Sequence, residues 1–156
     1  MKKEISYDQA LQKMAALCSQ AEHCESELRE KLARAGIGTG DADRIIDYLY
    51  DEGYINNERY CRAFVRDKFN YAHWGRIKIG QALRLKHLPD ALVRQALDEE
   101  MPHEAYHALL QRLLRQKDST LPADTDAYSR RAKLIRFALG RGFTMDEVLD
   151  AVGHEE

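Results

Sequence analysis

A chain of 156 residues, with 44% hydrophobic and 32% charged residues and a net charge of −2, has the length of one packed domain or of a short array of small repeats. Three Pro and nine Gly exclude collagen-like and low-complexity chains, and three Cys exclude a disulfide scaffold. No apolar run approaches the ~20 residues of a membrane span, and Met1-Lys2-Lys3-Glu4 does not lead into an apolar signal region, so a soluble cytoplasmic protein is expected.

In chain order the apolar spacing is helical. Leu11, Met14 and Cys18 form the first stripe, Leu28, Leu32 and Ala35 the second, and Ile45, Ile46 and Leu49 the third. Tyr60, Cys61, Phe64, Val65 and Lys68 follow, then Val93 and Leu97, then Tyr106, Leu109, Leu110, Leu113 and Leu114. Ala132, Ile135, Ala138 and Leu139 form the next stripe, and Val148, Leu149 and Val152 the last. No alternation marks a strand. Pro89 and Pro102 are read as first-turn prolines, Thr144 to Glu147 as a capping box, and Gly36, Gly53 and Gly142 as helix stops. Residues 117–126 read as a loop.

The pattern repeats. Leu32-Ala33-Arg34-Ala35-Gly36-Ile37 matches Leu83-Arg84-Leu85-Lys86-His87-Leu88 and Ala138-Leu139-Gly140-Arg141-Gly142-Phe143. Each segment precedes a short helix and follows a longer one, starting near Tyr7, Asn57 and Pro102. The expectation is therefore three tandem three-helix repeats over residues 1–55, 56–100 and 101–156, each too small to bury its apolar faces without a neighbour.

Charge is unevenly spread. Residues 1–58 hold 7 basic against 12 acidic side chains, residues 59–87 hold 8 against 1, and residues 110–141 hold 8 against 3. The second block carries Arg59, Arg62, Arg66, Lys68, Trp74, Arg76, Lys78 and Lys86, a mixture of cations and aromatics suited to a binding surface, and Gly75 would let a backbone approach closely. The third carries Arg130, Arg131, Lys133, Arg136 and Arg141. Such asymmetry points to an acidic protein surface or to phosphate.

Catalytic motifs are weak. His103-Glu104-Ala105-Tyr106-His107 fits H-E-x-x-H, but it sits beside Pro102 at a helix start and has no third ligand nearby, so solvated histidines are expected in place of a zinc site. Cys18 and Cys61 read as core residues, and His23-Cys24 is at best half a metal site. No P-loop, G-x-G-x-x-G or G-x-S-x-G is present, so neither enzyme, cofactor nor metal is expected. Residues 83–97 could pass for a helix-turn-helix, yet residues 90–97, its recognition helix, would offer DNA only Arg94 beside Asp90.

Taken together, these motifs resemble the RecX family, bacterial regulatory proteins that restrain the RecA recombinase. The resemblance rests on Glu27-Leu28-Arg29-Glu30-Lys31-Leu32 with Gly36, on Gly53-Tyr54-Ile55-Asn56-Asn57-Glu58-Arg59-Tyr60-Cys61, on Gly75, Lys78, Ile79 and Leu83, and on residues 130–143. It spans residues 7 to 153. The chain departs from the family where residues 18–24 replace an Arg-rich segment, and where His87 replaces a Gly. The resemblance implies an all-α protein, an elongated, curved array of three tandem three-helix-bundle repeats. It also implies binding within the groove of the RecA–DNA filament as a monomer, accompanied by weak single- or double-stranded DNA binding. Strand exchange, ATP hydrolysis and RecA-assisted repressor cleavage would be inhibited. Arg59, Arg62, Arg66, Lys68, Trp74, Arg76, Lys78 and Lys86 are expected to face the filament, and Arg130, Arg131, Lys133, Arg136 and Arg141 to face DNA.

Overall fold

The computed structural model describes residues 5–153; the first four residues and the acidic end after Gly153 lie outside it. Among the described residues there are helices and no strands. They are α1 (Tyr7–Gln20), α2 (Glu25–Arg34), α3 (Thr39–Asp51), α4 (Asn57–Asp67), α5 (Arg76–Leu85), α6 (Asp90–Glu100), α7 (His103–Thr120), α8 (Ala127–Gly140) and α9 (Met145–Val152), with a π-turn (Lys68–Ala72) continuing α4.

Local chemistry sets the starts. Ser6 caps α1 in a reciprocal box with Gln9, Asn56 caps α4, Asp126 caps α8, and Thr144 and Glu147 form the expected box at α9. Pro89 and Pro102 occupy the cap position itself, one residue before the first turn. The loop expected from residue 117 begins later, because α7 runs on to Thr120. Ser119 and Thr120 bond back to the carbonyls of Gln116 and Lys117, and Arg130 holds Asp118 from outside, which keeps the last turn wound.

The repeat is visible in the backbone. After α2, α5 and α8 the N–H groups of Ile37, Leu88 and Phe143 bond to the carbonyls of Leu32, Leu83 and Ala138, the same six-residue closure three times. The residue before each is left-handed: Gly36, His87 and Gly142, at φ 83°, 65° and 100°.

The helices α1 to α3 enclose one core built on Ala10, Met14, Leu28, Leu32, Ile45, Ile46 and Leu49. The other six helices share a second core, in which Val65, Ile79 and Val93 of the second unit join Tyr106, Leu110, Phe143 and Val148 of the third. Each large side chain buried in this way contributes roughly 1.5–3 kcal/mol. The second and third units are thus one packed body. Cys24, from the turn before α2, is buried in that second core and anchors the first unit to it. The three cysteines are free thiols, and burial pushes the Cys61 thiol up to about 11.

Candidate functional site

The basic residues picked out in the sequence separate into two groups once folded. Arg59 lies at the junction of the first two units, where Nε donates to Glu22 at 2.5 Å and Nη2 donates to the carbonyls of Gly53 and Tyr54 at 3.1 and 3.2 Å. Lys86 stands 3.8 Å from Glu27 in the same junction, and its carbonyl accepts from the Ser26 hydroxyl at 2.9 Å. Arg62 crosses from α4 to α6, bonding Glu58 and Glu100 at 3.2 Å and Glu99 more closely. Those carboxylates hold its guanidinium well above the ordinary arginine range. Arg66 reaches Glu100 at 3.2 Å, and Arg76 bonds Asp98 and the Leu97 carbonyl. The acidic end of α6 is therefore taken up by arginines of α4 and α5, a pairing at sequence distances no local pattern reveals. In the third unit Arg130 bonds Asp118 at 2.6 Å and the Pro122 carbonyl at 2.9 Å, bracing the loop, while Arg131 bonds the carbonyl of Gly153.

The second group forms a continuous strip. Lys68 and Lys78 both lie against the Trp74 ring, their ammonium nitrogens 4.9 and 4.5 Å from its centroid. Lys68 also stands 3.6 Å from Asp67. Arg141 lies 5.2 Å over Phe137 and donates to the Ala72 carbonyl at 3.4 Å, which joins α8 to the end of the π-turn. Lys117 approaches the same Phe137 ring at 5.4 Å. Lys117, Lys133, Arg136 and Phe137 together line a shallow depression of about 240 Å³. Among the described residues Lys78, Lys117, Lys133, Arg136 and Arg141 have no carboxylate partner. Five unneutralised cations around two aromatic rings form a surface that attracts anions and offers ring faces. Lys117 is the one member that the sequence did not single out.

A backbone joint holds this strip together. The Gly75 N–H donates to the Arg141 carbonyl at 2.7 Å, and the Ile77 N–H to the Gly142 carbonyl at 3.0 Å. The close approach expected at Gly75 is thus made by the chain itself. Tyr106 locks the joint from behind: its hydroxyl accepts from the Arg76 N–H and donates to Glu147, each at 3.1 Å. Burial raises the Tyr106 hydroxyl far above the ordinary tyrosine value.

The remaining motifs lie apart from the strip. The rings of His103 and His107 stack 6.4 Å apart in the first turns of α7, and no cluster of three potential metal ligands exists among the described residues. The exposed side of α6 carries Asp90, Asp98 and Glu99, with Asp90 bound to Arg84 and Arg94. No described helix is long and apolar enough to cross a membrane.

The architecture defines an all-α protein of tandem three-helix units with a basic strip across its second joint. Family models of the first, second and third three-helix domains of RecX match residues 10–49, 56–97 and 104–152, and the chain belongs to the RecX family of regulatory proteins. It is 30% identical over 138 residues to the regulatory protein RecX of Chromohalobacter salexigens, covering 88% of this chain and 87% of that one. To the regulatory protein RecX of Vibrio vulnificus it is 28% identical, covering 89% and 88%. The crystal structure of RecX from Lactobacillus salivarius shares the fold, with a TM-score of 0.83 at 19% identity and 94% of each chain covered. A crystal structure of another regulatory protein RecX superposes with a TM-score of 0.84 at 21% identity, covering 96% of this chain and 73% of that one.

Proposed function

We propose that the chain is a non-enzymatic cytoplasmic modulator of the RecA recombinase, binding as a monomer against the RecA–DNA filament and restraining its growth, ATP hydrolysis, strand exchange and coprotease activity. The observation that carries this reading is the strip from Lys68, Trp74 and Lys78 through Arg141 to Lys133 and Arg136. Apart from Lys68, which stands beside Asp67, its cations have no carboxylate partner among the described residues, in a chain whose net charge is −2. A filament combines acidic protein surface with phosphate, and the strip crosses two units, so modest contacts to successive protomers would add through effective concentration. Here Arg59, Arg62, Arg66, Arg76 and Lys86 act chiefly by holding the units in register, and Arg130 and Arg131 by bracing the ends of the third.

The test is RecA ATP hydrolysis on single-stranded DNA, titrated with substoichiometric protein at two salt concentrations. Wild type should inhibit less at the higher salt. The K78E/K133E/R136E variant should lose inhibition at both salts while keeping its helical circular dichroism. Inhibition unchanged in that variant overturns the assignment of the strip.

A further inference from the structure

A second surface lies beside the strip, lined by residues that are not among the candidates named above. Between the π-turn and α7 runs a groove of about 460 Å³. Its floor is apolar, made by Phe69, Ala105, Ala108 and Leu109, and its polar lining consists of Asn70, His73, Arg112 and Arg115 with no acidic residue. Arg112 and Arg115 are exposed, one helical turn apart on α7, and neither makes a hydrogen bond or ion pair with any described residue.

We infer that this groove docks an acidic amphipathic segment of a protein partner, seating apolar side chains on the Ala105–Ala108 floor and carboxylates on Arg112 and Arg115. Guanidinium forks match carboxylates bidentately, and two of them one turn apart fit acidic side chains repeating at the same interval on a helix. Small alanines let the docked backbone come close, the geometry of helix-in-groove recognition. A nucleic-acid strand fits less well. Phe69 is only 7% exposed and Leu109 5%, so the floor offers no open ring face on which a base could stack, and an apolar floor gains nothing from phosphate. Bases have ring faces to meet on the neighbouring strip instead. On this arrangement the π-turn separates a surface that reads phosphate from one that reads protein, so a nucleoprotein engages both and bare DNA only one.

The inference goes beyond the recombinase reading, and its test contains no recombinase. A fluorescein-labelled helical peptide with Leu and Glu along one face is titrated with the full chain. The comparison probes are a peptide in which Gln replaces Leu and a labelled oligothymidylate. The Leu/Glu peptide should bind, the Gln peptide of equal charge should bind much more weakly, and R112E/R115E should weaken the first by at least about tenfold without affecting the oligonucleotide. K133E/R136E should do the reverse. Both arginines are exposed and unpaired, so the variant should melt with wild type, and the melt is measured alongside. No binding of the Leu/Glu peptide, binding indifferent to R112E/R115E, equal binding of the Gln peptide, or an oligonucleotide weakened as much as the peptide would each overturn the inference.

Discussion

Gly75 and Gly142 meet backbone to backbone. A Cβ placed on Gly75 would overlap the carbonyl group of Gly142 and lie 2.6 Å from the Phe143 nitrogen; one on Gly142 would overlap the Lys78 Cβ and lie 2.8 Å from the Lys78 nitrogen. The neighbouring atoms are mostly main chain, so they cannot turn aside as a flexible side chain would. Gly75 has φ −80°, which any residue adopts, so its requirement is space alone. Gly75→Ala should therefore destabilise the chain by about 1–3 kcal/mol through overpacking, read as a lower thermal midpoint. Gly142 adds a left-handed φ of 100°, so Gly142→Ala should cost more. A Gly75→Ala melt equal to wild type would mean that the joint gives way easily and does not hold the two units.

His87 makes the opposite prediction. It occupies the same left-handed position as Gly36 and Gly142 but carries a side chain, and that side chain is exposed. A non-glycine residue there is strained by roughly 1–2 kcal/mol, offset in part by the ~0.5–1 kcal/mol cost of ordering the freer glycine chain. His87→Gly should stabilise the protein by about 0.5–1 kcal/mol. An unchanged or lower denaturant midpoint would show that the imidazole makes a contact worth more than the strain.

Much of the fold was legible in the sequence for a local reason. Helix periodicity, the Thr144–Glu147 box and the glycine stops act within a few residues, and the threefold recurrence of Leu32, Leu83 and Ala138 marks the same turn each time. The π-turn was not legible, since Lys68 continues the stripe of α4 without a break and only packing seats Phe69 inward while Tyr71 stands 80% exposed. Nor was the placement of Cys24 in the second core, because the turn before α2 carries no apolar period. The basic block at residues 59–87 could be counted, but its neutralisation could not. Arg62 meets Glu99 and Glu100, and Arg76 meets Asp98, across separations that only the packing of α4 and α5 on α6 creates. Arg112 and Arg115 went unselected because a lone basic pair on a helix reads as a solvated face until the groove beside it is seen.

Acid should loosen the contact between the first and second units. Glu27 accepts from the Tyr60 hydroxyl at 2.7 Å and the Cys24 thiol at 3.2 Å, with His23 and Lys86 at 3.5 and 3.8 Å. Burial alone would raise the Glu27 carboxyl; the two donors and the two nearby bases more than offset it and hold it below its ordinary 4.5. A carboxyl lowered on folding stabilises fully above its unfolded value and loses that contribution as pH falls through the folded one. Glu27→Gln should thus cost about 1–3 kcal/mol at neutral pH, and should flatten the decline in stability expected of wild type below pH 4.5. Chemical unfolding on both sides of that pH checks it. A variant whose acid slope matches wild type would mean that Glu27 contributes no linkage.

Two kinds of arginine should fail in two different ways. Arg62 is embedded among Glu58, Glu99 and Glu100, and its removal leaves three carboxylates crowded between α4 and α6 without their counter-charge. Lys133 and Arg136 project from α8 with no carboxylate partner among the described residues, and their removal leaves nothing unpaired. Arg62→Ala should lower the thermal midpoint at neutral pH, with part of the loss recovered as pH falls into the carboxylate range and the crowded glutamates take up protons, and any loss of recombinase inhibition should follow the unfolded fraction. The K133E/R136E variant should keep the wild-type midpoint yet weaken inhibition by about tenfold or more at low salt, with the gap to wild type narrowing as salt screens the wild-type contacts. Melting and inhibition measured on the same preparations decide the matter. If Arg62→Ala leaves the melt unchanged while abolishing inhibition, Arg62 exchanges its internal carboxylates for the filament, and the division between holding and contacting residues drawn from their ion pairs is wrong.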